Sequence, residues 1–217
     1  MKPWYARFEK LTIITLVILA CVFSFIYVNK LNFELAEKGG RFTELHTWLD
    51  DYIPFIPTFG LAYYLYYIWV LLAVPVTKER EHFYHAVASF TTIQAAAIAT
   101  YIIFPSHMSR PQVVGNGIGE HLVRWMYKAD PGFNLLPSLH VGHTMLVALL
   151  YYYYKRRYFT PVAIGTALIS ISTVFIKQHY IVDLPFGALY ALGAFYLTAP
   201  VTNWVRGYAS DGVPPRT

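Results

Sequence analysis

The stretch "YFTPVAIGTALISISTVFIKQHYIVDLP", residues 158–185, decides the fold. Residues 158–176 carry no charged side chain, and a run of roughly 20 apolar residues is what an α-helix needs to cross the hydrocarbon core of a bilayer. Lys177, His179 and Asp183 then follow almost side by side, before the next apolar run opens at Leu184. Charge beside lipid is costly, so a cluster of this kind at the end of a span calls for a function.

Read outward from this stretch, the same pattern recurs. Residues 11–29, 53–77, 86–109, 139–154 and 184–205 are also free of Asp, Glu, Lys and Arg. The 217 residues are 56% hydrophobic and 13% charged, and the mean hydropathy of +0.40 is above that of an ordinary soluble domain. Together these features predict an all-α integral membrane bundle of six transmembrane helices, with residues 1–217 forming a single domain. The first run exceeds the roughly 7–15 residues of a signal-peptide core and reads as an uncleaved helix. Cys21, the single cysteine, reads as a buried thiol of that helix and not as a lipid attachment site.

The basic residues supply an orientation. Lys2, Arg7 and Lys10, Lys78 and Arg80, Lys155 to Arg157, and Arg206 and Arg216 fall on one side of a six-span layout. The positive-inside rule makes that side cytoplasmic, with both termini on it. The longer connection 105–138 and the turn 177–183 share the opposite, extracytoplasmic face. The net charge of +5 comes without the interleaved aromatic and basic residues of a nucleic-acid binder. The expected partners are membrane lipids, with an anionic lipid head group as ligand and no nucleic acid.

Two short segments on that face carry chemistry. If residues 172–187 are helical, Ser172, His179, Asp183 and Gly187 form one stripe, and His179 can touch Asp183. A carboxylate on one imidazole nitrogen fixes the tautomer and leaves the other nitrogen as a nucleophile. The bland alternative is a helix cap at Asp183 beside an interfacial histidine. In "NLLPSLHVGHT" (134–144) Pro137 reads as a first-turn residue, so free amides near Ser138 form an anion site, and His140 suits a general acid. A zinc site from His140, His143, His179 and Asp183 is disfavoured because there is no HExxH pattern. "GNGIG" (115–119) lacks the context of a dinucleotide site and reads as a hinge. The segment after it, "EHLVRWMYKAD", reads as interfacial.

"PSLH" (137–140) followed by "STVFIKQHYIVD" (172–183) resembles the type 2 phosphatidic acid phosphatase superfamily of membrane lipid phosphatases. That family's pattern is Lys-x6-Arg-Pro, then Pro-Ser-x-His, then Ser-Arg-x5-His-x3-Asp. The second element matches fully. Ser172, His179 and Asp183 fall in register for the third, and Arg110-Pro111 supplies half of the first. Ile103 stands where the family has Lys, and Thr173 where it has Arg. The resemblance implies a lipid phosphate phosphatase with His179 as nucleophile, Asp183 orienting it and His140 as acid. Arg110, Ser138 and, in place of the missing cations, Lys177 would bind the phosphate. Neither cofactor nor metal is implied. The "KQHY" and "DDYIPFIP" contexts look more like the branch with inositol phosphorylceramide and sphingomyelin synthases, which keeps a head-group transferase open as the alternative. A transporter would place its polar residues near midplane and often in repeats, and a non-catalytic scaffold would lose one of His140, His179 and Asp183. Neither description fits the sequence.

Overall fold

The computed structural model describes residues 3–211, with side chains from 8 to 206; Lys2 and Arg216 lie outside them. The helices are α1 (Pro3–Glu37), α2 (Gly60–Leu71), α3 (Ala73–Val76), α4 (Arg80–Ile103), α5 (Ile118–Ala129), α6 (Leu139–Tyr154), α7 (Phe159–Phe175), α8 (Asp183–Thr198) and α9 (Pro200–Asp211). Short 3-10 turns cover Trp48–Tyr52, Pro57–Phe59 and Arg156–Tyr158. Among the described residues the extended contacts are two isolated bridges, Thr43 with Ser106 and His107 with Phe133. The all-α expectation holds.

Proline sets several of the breaks. Pro75 has no N–H for the Leu71 carbonyl and crowds it, and α2 ends at Leu71. The residue before a proline is disfavoured in the α region, so α4 stops at Ile103, ahead of Phe104-Pro105, and not at 109. Pro200 opens α9 directly after α8, with Ala199 between them still in the αR conformation.

Among the described residues five helices are long and apolar enough to cross a membrane: 8–37, 57–76, 80–103, 156–175 and 183–206. The expectation of six is met for these five. The remaining run, 139–154, is a helix of 16 residues, shorter than the roughly 20 needed by length alone. It is instead the innermost helix, with Leu146, Val147 and Leu150 at most 1% exposed and with α2, α4, α7 and α8 packed around it. By contrast α1 turns Leu16, Phe23 and Ile26 outward, an apolar face suited to lipid.

The ends of the bundle differ in character. At one end Lys10 donates to the Lys78 carbonyl at 2.6 Å, Tyr84 donates to Glu9 at 2.7 Å and Arg206 pairs with Glu81 at 3.2 Å. His82 stacks on Tyr154 there, at the C-terminus of α6. At the other end the N-termini of α6 and α8 meet. A Cβ on Gly187 would lie 2.5 Å from the Ser138 carbonyl oxygen, so only glycine lets the two backbones approach this closely.

Candidate active site

The turn between α7 and α8 is built by a helix ending and a set of long-range ties. α7 closes in a Schellman motif: Gln178 N–H donates to the Thr173 carbonyl at 2.8 Å and Lys177 N–H to that of Val174 at 3.1 Å. Lys177 occupies the left-handed position at φ +50°, usually a glycine site, which stores backbone strain of order 1–2 kcal/mol. Its ammonium donates to the carbonyls of Ile53 at 2.6 Å and Asp50 at 3.2 Å. Asp50, buried, accepts from Ile181 N–H at 2.9 Å and from the Thr47 amide and hydroxyl. Tyr127 donates to the Ile176 carbonyl at 2.7 Å. Burial pushes the Tyr127 phenol up to about 12 against the pull of the Arg110 charge, so this donor keeps its proton at any physiological pH.

The helical stripe expected over 172–187 is therefore interrupted: the chain leaves the helix after Phe175 and re-enters it at Asp183. Ser172 donates to the Ile169 carbonyl of its own helix. His179 and Asp183 nevertheless meet, because the turn folds Asp183 back under it. Nδ1 of His179 lies 3.1 Å from Oδ2 of Asp183, which also accepts from Tyr180 N–H at 2.9 Å. Both residues are buried, Asp183 at 0% exposed, and its Oδ1 has no hydrogen-bond partner.

Opposite this pair stands the N-terminus of α6. Leu139, not Pro137, is its first residue; Ser138 is the N-cap, and its hydroxyl oxygen accepts from Val141 N–H at 3.4 Å. The Ser138 amide donates to the Asp183 carbonyl at 3.3 Å, which ties the two segments directly. His140 Nδ1 lies 3.4 Å from His179 Nε2. With Asp183 accepting a hydrogen bond from Nδ1–H of a neutral His179, Nε2 holds the lone pair and His140 is the donor in that contact. The rings of Tyr63 and Tyr66 flank His140 at 4.7 and 4.6 Å, and Tyr66 is held by His143 at 2.7 Å.

Arg110 is buried on the same end. One terminal nitrogen donates to the Asp130 carbonyl, Nη2 lies 3.6 Å from Asp130 Oδ1, and the guanidinium sits 4.6 Å over the Tyr127 ring. Its Nε and Nη2 are buried without a hydrogen-bond partner. Of the positions where cations are missing, Ile103 is 82% exposed and Thr173 donates to Ser170. Lys177 does not turn its ammonium to the histidines; the two carbonyls of the 50–53 segment hold it.

The segment ahead of Ser138 is anchored from α1 and α4. Asn32 donates to Asn134 at 2.6 Å, Asn134 to Asn29 at 3.1 Å, and Tyr101 donates to the Pro137 carbonyl at 2.7 Å. Sequence reasoning passed over these residues, together with Asp130 and Gln178, and read Tyr63 and Tyr66, within 63–67, as aromatic belt or packing. Two asparagines three apart in an apolar helix were a usable signal, since unpaired amides in lipid are costly. So was the Asp-Pro-Gly turn at 130–132.

Apolar helices enclosing a buried polar cluster at one end fit a membrane protein. The family follows from comparison: a family model described as PAP2 superfamily matches residues 29–197, and the chain belongs to that superfamily. The match includes the Pro-Ser-x-His element and both halves of the His179–Asp183 turn. No curated protein and no solved structure matches the chain. The superfamily generally contains phosphatases, and a lipid phosphatase-type function fits this chain.

Proposed function

We propose that the protein is a metal-independent, integral membrane phosphatase that removes phosphate from a lipid phosphate such as phosphatidate, phosphatidylglycerophosphate or a polyprenyl phosphate. The observation that carries this reading is the line Asp183–His179–His140, with contacts of 3.1 and 3.4 Å. His179 Nε2 attacks phosphorus, and the bond to the lipid oxygen breaks as His140 donates its proton to the departing alkoxide. Asp183 holds the ring and stabilises the positive charge that it gains. Arg110 and Ser138 grip the equatorial oxygens, where transition-state charge is spread. Water, deprotonated by His140, then displaces His179 from the phosphohistidine and releases inorganic phosphate. An in-line phosphoryl group between them needs the two rings to part beyond their present 3.4 Å contact. In this account Lys177 supports binding indirectly, by holding the turn that bears His179.

The layout proposed is six crossings. α6 spans both ends of the bundle, at about 24 Å for a helix of this length, and is sheltered by its neighbours. The basic end carrying Lys10, Lys78, Arg80 and Arg206 is then cytoplasmic with both termini, and the site is extracytoplasmic.

One observation favours a second reading. With Ile103 and Thr173 contributing no charge and Arg110 sharing its own with Asp130, the pocket suits the single charge of a phosphodiester. A phosphodiester donor with an alcohol acceptor in place of water makes the same machinery a head-group transferase. Phosphate release from a panel of lipid phosphates by purified protein, run beside head-group transfer from a phosphodiester lipid with and without diacylglycerol or ceramide, separates the two. Release without acceptor supports the phosphatase, and turnover only with acceptor replaces it by the transferase.

A further inference from the structure

Asp130 belongs to none of the motif positions, yet the polar contacts of the site converge on it. Its carbonyl and its Oδ1 face the Arg110 guanidinium, its Oδ1 accepts from Gly132 N–H at 3.1 Å, and its Oδ2 accepts from Gln178 at 2.6 Å. Gln178 immediately precedes His179, and both backbone amides donate to the Thr173 carbonyl. One carboxylate thus links the guanidinium to the turn that carries the histidine.

Asp130 neutralises Arg110 through the ion pair at Nη2 but makes no hydrogen bond to Nε or Nη2. Nε–H and Nη2–H point the same way from a guanidinium and form the edge that grips two oxygens of a phosphate side by side. These are the two nitrogens of Arg110 that are buried without a hydrogen-bond partner, on a side chain 8% exposed. The Asp-Pro-Gly turn keeps that edge clear. Gly132 sits at φ +88°, and a Cβ there would lie 3.2 Å from Nε and 2.8 Å from the Met108 carbonyl oxygen. A buried cation held at Nη1 by the Asp130 carbonyl, with Asp130 Oδ1 3.6 Å from Nη2 and with Nε and Nη2 still free of hydrogen bonds, is a preorganised anion clamp.

The geometry points to Asp130 as a positioning residue that fixes the open edge of Arg110 and, through Gln178, holds it in register with His179. The assignment rests on the phosphoryl-transfer reading of the site. The test is binding of orthovanadate to the purified full-length protein in detergent, followed by calorimetry. Arg110→Ala and Asp130→Ala are each expected to weaken binding about ten- to a hundredfold, the range for hydrogen bonds to charged groups. The double variant should bind no worse than Arg110→Ala within about twofold, because both changes remove one unit. Asp130→Asn keeps an acceptor for Gly132 N–H but loses the charge; it should fall between wild type and Asp130→Ala, and it serves in the cycle if the alanine variant does not fold. Wild-type affinity in the Asp130 variants, or losses that multiply in the double variant, would overturn the role of Asp130. No vanadate binding by the wild-type protein, or undiminished binding by His179→Ala, would instead overturn the reading of the site itself.

Discussion

His179 is a nucleophile in this account because of what surrounds it, and each neighbour has a separable effect. Asp183 sets the tautomer and balances charge, so Asp183→Asn should lower kcat about a hundredfold or more with little change in KM, read from phosphate release. In the proposed mechanism His140 acts on the leaving group. His140→Gln should slow release from an alkyl phosphate by about 10²–10⁴-fold and much less from p-nitrophenyl phosphate, whose phenolate departs without a proton. Equal losses on both substrates would remove His140 from the acid role. The residues of this line were legible in the sequence because their spacing within each short motif is local. Asp130 and Gln178 were not, since they meet across 48 positions and neither periodicity nor a motif reports a contact of that range.

At the scale of elements, two joints position the site. The first is the turn 176–183, whose strained Lys177 is held by its own side chain. Lys177→Met removes both carbonyl contacts while keeping the backbone strain, and should cost about 1–3 kcal/mol of stability, seen as a lower Tm in detergent together with lost activity. A Tm equal to wild type would show that those contacts carry no load. The second joint is the crossing of α6 and α8. Gly187→Val drives a side chain against the Ser138 carbonyl and should cost about 3 kcal/mol or more, with His140 displaced from His179. From the sequence, the end of α4 was misplaced, and the stripe conditional on a helix over 172–187 did not form, for different reasons. Residues 104–109 are uncharged without being helical, because Pro105 follows Phe104. The stripe over 172–187 assumed a continuous helix where the chain makes a Schellman ending with lysine in place of the usual glycine, which a residue-type rule does not anticipate.

For the molecule as a whole, composition made the membrane class and the all-helical fold legible, while the sixth crossing was not decided by length, because α6 is short and shielded by protein. The proposed layout predicts that, in a Cys21→Ser background, a cysteine at Ile118 is labelled by an impermeant maleimide from outside intact cells, whereas one at Lys155 is labelled only after permeabilisation. Labelling of both from the same side would remove the odd number of crossings between them that this layout requires. The fold matters to function because it brings two loops, 39 positions apart at His140 and His179, to one end of the bundle with Arg110. The most direct measurement of that claim is acid-free quenching of the protein with a ³²P-labelled lipid phosphate that it turns over, followed by peptide mapping. The account predicts an alkali-stable, acid-labile phosphoryl group on His179 that accumulates in wild type and is absent from His179→Ala, which releases no phosphate. Phosphate release by the His179→Ala protein at the wild-type rate, or label on another residue, would contradict it.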